Sequence, residues 1–178
     1  MLRKQLSKNI VRGLCIVLMT LAGVAFPFLD PTVMARLPLR IGDTPPRGNV
    51  TDLNGRAVRI PDDLRGKVVI LHFWASGCSS CREEMPAMEA LYARYDKKGL
   101  VILAVNVGQS KEAVKAFMAD LKITYPILLD PDRKMAGEYE VISVPRAFIL
   151  DRNGLIRFKI VGSGASMEKL NKLVSSLL

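Results

Sequence analysis

The sequence predicts an α/β domain, a mixed central sheet with helices on both faces, carried behind one N-terminal transmembrane helix. Three observations support this. Apolar runs of strand length, Val68–Trp74 and Leu100–Val107, alternate with segments of helical spacing. The chain then closes with a hairpin and a helix rather than another crossover, which makes the sheet mixed instead of all-parallel. Finally, Ile10 to Leu29 carries one charge, Arg12, over 20 residues. As a helix that stretch spans about 30 Å, the hydrocarbon thickness of a bilayer.

The elements follow in order. Residues 1–9 form a basic segment containing Arg3, Lys4 and Lys8, and residues 10–29 form the apolar span. Basic residues precede the span, and Asp30 and Pro31 follow it. The positive-inside rule therefore predicts a cytoplasmic N-terminus and an exported remainder. Val33-Met34-Ala35 resembles a cleavage site, but the apolar run is longer than the core of a cleaved signal, which favours an uncleaved signal anchor. Cys15 lies inside the span after Leu14, which is not a small residue, and receives no role.

Residues 30–43 read as a linker and 44–178 as the domain. Asn49 to Ile60 alternates around Asn54-Gly55, a hairpin signal, and Pro61 to Gly66 is a loop. Arg82 to Lys98 has helical spacing through Met85, Met88, Leu91, Tyr92 and Tyr95, stops at Gly99, and is expected to kink at Pro86. Ser110 caps a helix with Val114, Phe117, Met118 and Leu121 on its apolar face. Pro126–Leu129 is a short strand, and Asp130–Tyr139 is a turn and a short helix. Ala147–Leu150 and Leu155–Val161 pair across Arg152-Asn153-Gly154, and Ser166 caps a last helix, Met167–Leu177.

Composition excludes some functions. The net charge of +9 is not gathered into a dense basic run, and no aromatics are interleaved with it, so the chain has no nucleic-acid footprint. At 49% apolar residues, the domain can build a core without disulfide staples.

The chemistry concentrates at Cys78 and Cys81, which are separated by two serines where the apolar strand ends and a helix begins. The first turn of a helix offers unpaired N–H groups and a partial positive charge, both of which stabilise a thiolate. Cys78 should therefore ionise more readily than free cysteine, and Cys81, one turn on, can close a disulfide with it. Such a pair can attack a disulfide and then release the product. A zinc site needs two more ligands, and the only other candidates are Cys15 and His72. We therefore expect no metal and no cofactor beyond the Cys78–Cys81 disulfide itself. A purely structural disulfide is the bland alternative, and the strand–helix junction favours the redox reading. His72, inside the strand, reads as a buried, satisfied histidine.

Several stretches together resemble the thioredoxin-fold proteins of the ResA/TlpA type, membrane-anchored thiol–disulfide oxidoreductases. They are Phe73-Trp74-Ala75 before the cysteines, Arg82-Glu83-Glu84-Met85-Pro86 after them, Ala104 to Lys111, Tyr125 to Asp130, and Val144-Pro145 with Phe148 to Asp151. The resemblance covers roughly Ile41 to Leu178, and its Asn106–Lys111 stretch is nearest to the ResA branch. It implies reduction of a disulfide in apocytochrome c or other exported thiol proteins, with electrons drawn from a membrane thiol carrier. By position, Pro145 matches the cis-proline that faces the cysteines, with the backbone of Val144 pairing to a bound peptide. Glu84 matches a partly buried acid whose charge would hold the thiols protonated to higher pH and which could relay a proton. Glu83 is an equal candidate on spacing alone. Trp74 matches the aromatic before the active-site loop, and with Val144, Pro145 and Arg146 it is expected to contact substrate.

The departures are specific. Gly77 replaces a tryptophan, Ser79-Ser80 replaces a pair that usually includes proline, Arg146 stands where threonine is usual, and His72 where asparagine is common. The serine hydroxyls and an Arg146 guanidinium facing the pair are both expected to favour the thiolate, and so the reduced form, which makes the couple more oxidising. A peroxidase of the peroxiredoxin class is the enzyme alternative, but Ala75 occupies the position where its threonine or serine belongs. A redox-inactive binding module such as a copper carrier is the other, but no histidine follows His72 to complete such a site.

Overall fold

The computed structural model describes residues 38–163 and 166–178. The basic segment, the apolar span 10–29 and residues 30–37 of the expected linker lie outside the described residues. Among the described residues, no helix is long and apolar enough to cross a membrane. Seven strands are present: β1 Gly48–Asp52, β2 Ala57–Ile60, β3 Val68–Trp74, β4 Leu100–Val107, β5 Ile127–Asp130, β6 Arg146–Leu150 and β7 Ile156–Val161. The helices are α1 Ser79–Tyr95, α2 Lys111–Met118, α3 Lys134–Glu138 and α4 Met167–Ser175.

The strands form one sheet in the order β2-β1-β5-β4-β3-β6-β7. β3, β4 and β5 run parallel, while β1, β6 and β7 pair antiparallel with their neighbours. The sheet is therefore mixed, as the closing hairpin implied. All seven residues of β3 are buried, because it lies between β4 and β6 with both faces covered. That is why it reads as a continuous apolar run rather than an alternating one.

Alternation along β3 sorts the core into two layers. Val68, Ile70 and Trp74 face α1, Val114 of α2, and Leu170 and Val174 of α4. Val69, Leu71 and Phe73 face the other way, onto Met135, Ala136 and Tyr139 of the α3 region, with Leu64 and Ile60. The second face is thus covered by one short helix and loops rather than by long helices.

Several boundaries depart from the sequence reading for local reasons. α1 begins at Ser79, not Arg82, because Cys78 is itself the N-cap and its Sγ accepts the Cys81 N–H. The helix continues through Pro86, and the carbonyl that proline leaves without its usual donor belongs to solvent-exposed Arg82. α1 gives way to a short 3-10 turn that ends at Gly99, whose φ of 102° needs no Cβ. The first hairpin closes on a four-residue loop, Leu53–Arg56, not a tight Asn-Gly turn. The Asp52 carboxylate organises it by accepting the N–H groups of Asn54 and Arg56, each at 2.8 Å. Part of the expected linker is bonded to the domain: the Gly42 N–H donates to the Ile156 carbonyl, and the Ile156 N–H donates to that of Asp43.

Candidate active site

Cys78 and Cys81 are joined as a disulfide at the N-terminus of α1. Cys78 is partly exposed and Cys81 is wholly buried. The Cys78 Sγ lies 3.2 Å from the backbone N of Cys81 and 3.5 Å from the Ser80 Oγ. So the sulfur a partner can reach is also the one the helix N-terminus stabilises. Of the two serine hydroxyls, only that of Ser80 lies against this sulfur. Gly77 is exposed, and a Cβ added there would meet nothing within 4 Å, so the missing tryptophan leaves open space over the pair.

The loop before the cysteines is braced by a residue the sequence reading did not single out. Gln109, after β4, accepts the Ser76 N–H at 2.7 Å and the Asn106 side-chain amide at 2.9 Å, and it donates to the Ser76 Oγ. A polar residue just past the end of the strand beside β3 was the signal available, but the pairing spans 33 positions. Gln109→Ala should leave the Ser76 N–H without its partner and cost about 1–3 kcal/mol. Amide exchange at Ser76 should speed up accordingly, and an unchanged exchange rate would show that the loop does not depend on this brace.

Pro145 follows a cis peptide bond from Val144, just before β6. Pro145 is buried and Val144 is partly exposed. Among the described residues, neither the N–H nor the carbonyl of Val144 takes part in a hydrogen bond. An extended peptide could therefore pair with it.

Glu84 is partly buried and Glu83 is exposed, which separates two residues the spacing alone could not. The Glu84 Oε2 lies 3.6 Å from the His72 Nε2. His72 is indeed buried, but it is not satisfied: among the described residues, neither ring nitrogen has a hydrogen-bond partner. Its neighbours across the sheet are Ala104 on β4 and Ala147 on β6, which carry no polar group. Both residues line a small pocket with Met88, Pro145, Ile160 and Leu170.

Two expectations need correction. Trp74, expected to touch substrate, is fully buried beneath Phe117 of α2, with ring centroids 4.9 Å apart. It props the active-site loop from below. Arg146, expected to face the cysteines, borders the pocket but places its guanidinium 5.6 Å from the centroid of the Phe148 ring. Strand register explains this. Arg146 pairs with Phe73, whose side chain belongs to the opposite layer from Trp74. Arg146→Thr should therefore leave the pH midpoint of Cys78 alkylation unchanged, and a clear shift in that midpoint would restore the original assignment.

The comparisons agree with this geometry. The AhpC/TSA family matches residues 41–159. The thiol-disulfide oxidoreductase ResA of Geobacillus kaustophilus is 35% identical, covering 88% of this chain and 89% of its own. ResA of Bacillus subtilis is 30% identical over 83% of this chain and 82% of its own. The thioredoxin domain of a thiol-disulfide oxidoreductase from Bacteroides vulgatus superposes with a TM-score of 0.68 at 27% identity, covering 76% of this chain and 99% of that one. With a partly exposed sulfur at a helix N-terminus, its buried partner one turn on and a cis-proline just before β6, the strand that pairs with β3, the chain belongs to the AhpC/TSA family and is a thiol–disulfide oxidoreductase of the ResA type with a thioredoxin-like fold.

Proposed function

We propose that this oxidoreductase works outside the cytoplasm, tethered by residues 10–29, and reduces disulfides in exported proteins, with apocytochrome c as the substrate class. The single observation that carries the exchange chemistry is the unequal burial of the pair, an accessible Cys78 with Cys81 sealed behind it, while the backbone of Val144 before β6 is left free to pair with a peptide; the reductive direction rests on the resemblance to ResA-type proteins. An extended peptide laid along Val144 brings its own disulfide against Cys78, and only that sulfur can be attacked or can attack. The resemblance to ResA-type proteins supplies the substrate class and the membrane thiol carrier that would re-reduce the pair.

In the first step the Cys78 thiolate attacks one substrate sulfur, and the other substrate sulfur leaves as a thiolate and takes a proton. Cys81 then attacks the Cys78 sulfur and releases the second substrate thiol. Two electrons pass from the protein dithiol to the substrate disulfide, and the protein ends as Cys78–Cys81.

The test is to mix the reduced protein with an oxidised peptide carrying the haem-attachment cysteine pair, and separately with insulin. Faster thiol release from the haem-site peptide supports the substrate class. Equal rates would leave a general reductase, and no release from either would overturn the reductive reading. For location, protease added to intact spheroplasts should remove the domain, and protection from the protease would reverse the orientation.

A further inference from the structure

One buried titratable group has no part in the chemistry above. His72 is wholly buried, and among the described residues both of its ring nitrogens lack hydrogen-bond partners. A buried imidazole left unpaired is costly, whether neutral or charged. Its one polar neighbour of complementary charge is Glu84, at 3.6 Å. That separation is longer than a direct hydrogen bond, but the pocket between them admits a water molecule. Glu84 in turn stands one helical turn beyond Cys81 on α1.

The charges facing the pocket are few, and each element can be named. α1 contributes Glu84, with Cys81 one turn before it on the same helix, and β3 contributes His72, while Arg146 of β6 borders the pocket. The Arg146 guanidinium is held over Phe148 and forms no ion pair with Glu84 among the described residues. β7 and α4 present only Ile160, Met167 and Leu170. Among the described residues, His72 is therefore the basic group paired with the Glu84 carboxylate in this pocket.

We propose that His72 is a positioning residue that holds the pocket's resident proton and so keeps Glu84 ionised as the base for Cys81. The step balances. In the mixed disulfide, the Cys81 thiol gives its proton to the Glu84 carboxylate, and the resulting thiolate attacks the Cys78 sulfur. The Cys78–substrate bond breaks, and the departing substrate thiolate takes a proton, which returns Glu84 to the carboxylate. His72 keeps its proton throughout. Its charge also cancels the repulsion that a lone carboxylate would exert on a Cys81 thiolate. Without His72 the carboxylate would be uncompensated in an apolar pocket and would take up a proton itself, ceasing to be a base until the pH is raised.

This inference rests on Cys78 and Cys81 being the working couple, so insulin reduction by the unaltered full-length protein is the control. If that control fails, the oxidoreductase reading fails, whatever His72 does. Given an active control, the test measures resolution of a preformed mixed disulfide against pH in His72→Asn, Glu84→Gln and the double variant. Glu84→Gln should slow resolution by about a hundredfold or more, the scale of a lost general base. His72→Asn should slow it by at least about tenfold at pH 7 and recover as the pH rises, whereas Glu84→Gln should not recover. The double variant should match Glu84→Gln alone, because His72 acts only through the carboxylate. Additive losses, or a His72→Asn profile identical to the unaltered protein, would overturn the proposal.

A second measurement needs no change at position 72. His72 is the chain's only histidine, so its imidazole signal is unambiguous by NMR. In the reduced protein at pH 7 that signal should report a charged ring, and Glu84→Gln should convert it to the neutral form. A neutral ring in the unaltered protein, or one indifferent to Glu84→Gln, would refute the assignment even if His72→Asn fails to fold.

Discussion

Cys78→Ala should abolish disulfide reduction, and Cys81→Ala should stall it halfway, with substrate trapped on Cys78. The asymmetry follows from where α1 begins. Its N-cap is Cys78, so the sulfur there lies at the mouth of the helix, partly exposed, and accepts the Cys81 N–H. Once the disulfide is opened, that N–H, the helix N-terminus and the Ser80 hydroxyl at 3.5 Å all favour a Cys78 anion. Cys81 has no exposed surface and can reach only its own partner. Non-reducing gels of cells expressing each variant should show mixed disulfides with Cys81→Ala and none with Cys78→Ala. Equal trapping by both would mean that the loop opens far enough to expose Cys81, and the attacking role would no longer belong to Cys78 alone.

Trp74→Ala should be the most destabilising single change at the site, at about 3–5 kcal/mol. The side chain is fully buried at the end of β3 and stacks against Phe117 at an interplanar angle of 34°. Removing it opens a cavity directly beneath the active-site loop and parts α2 from the sheet. The loss is a large share of the roughly 5–15 kcal/mol that holds a domain together. Trp74→Phe separates packing from polarity. Among the described residues the indole N–H has no hydrogen-bond partner, so phenylalanine gives up volume and no bond, and its cost should fall well below that of alanine. Urea midpoints at constant slope measure both. If Trp74→Ala shifts the midpoint little while slowing reduction strongly, the tryptophan serves the substrate rather than the core.

The Glu84 carboxylate shows how a site can be half-written in a sequence. Its spacing from Cys81 marked both Glu83 and Glu84, because a helix of unknown phase turns either one inward. Once α1 is laid on the sheet, Glu83 is exposed and Glu84 faces His72. No property of residues 81–84 alone decides this; the apolar stripe of Met85, Met88 and Leu91, buried against β3, sets the phase.

The sequence by itself determined whatever depends on local chemistry and short-range periodicity. The unbroken apolar run of β3 marked a strand buried on both faces. Ser110 and Ser166 announced their helices, and each does cap one, accepting the N–H three residues on. The two cysteines at a strand–helix junction fixed the reaction class, because a thiol at a helix N-terminus is activated wherever that helix goes. Tertiary structure decided what depends on register between distant strands. His72 lacks partners because β4 and β6 set Ala104 and Ala147 beside it. Arg146 turns from the cysteines because its pairing with Phe73 commits it to the other face of the sheet. Gln109 braces Ser76 across 33 residues of chain. In a sheet the side-chain period is two, so a single step of register exchanges the faces, and only the assembled sheet settles which residues meet.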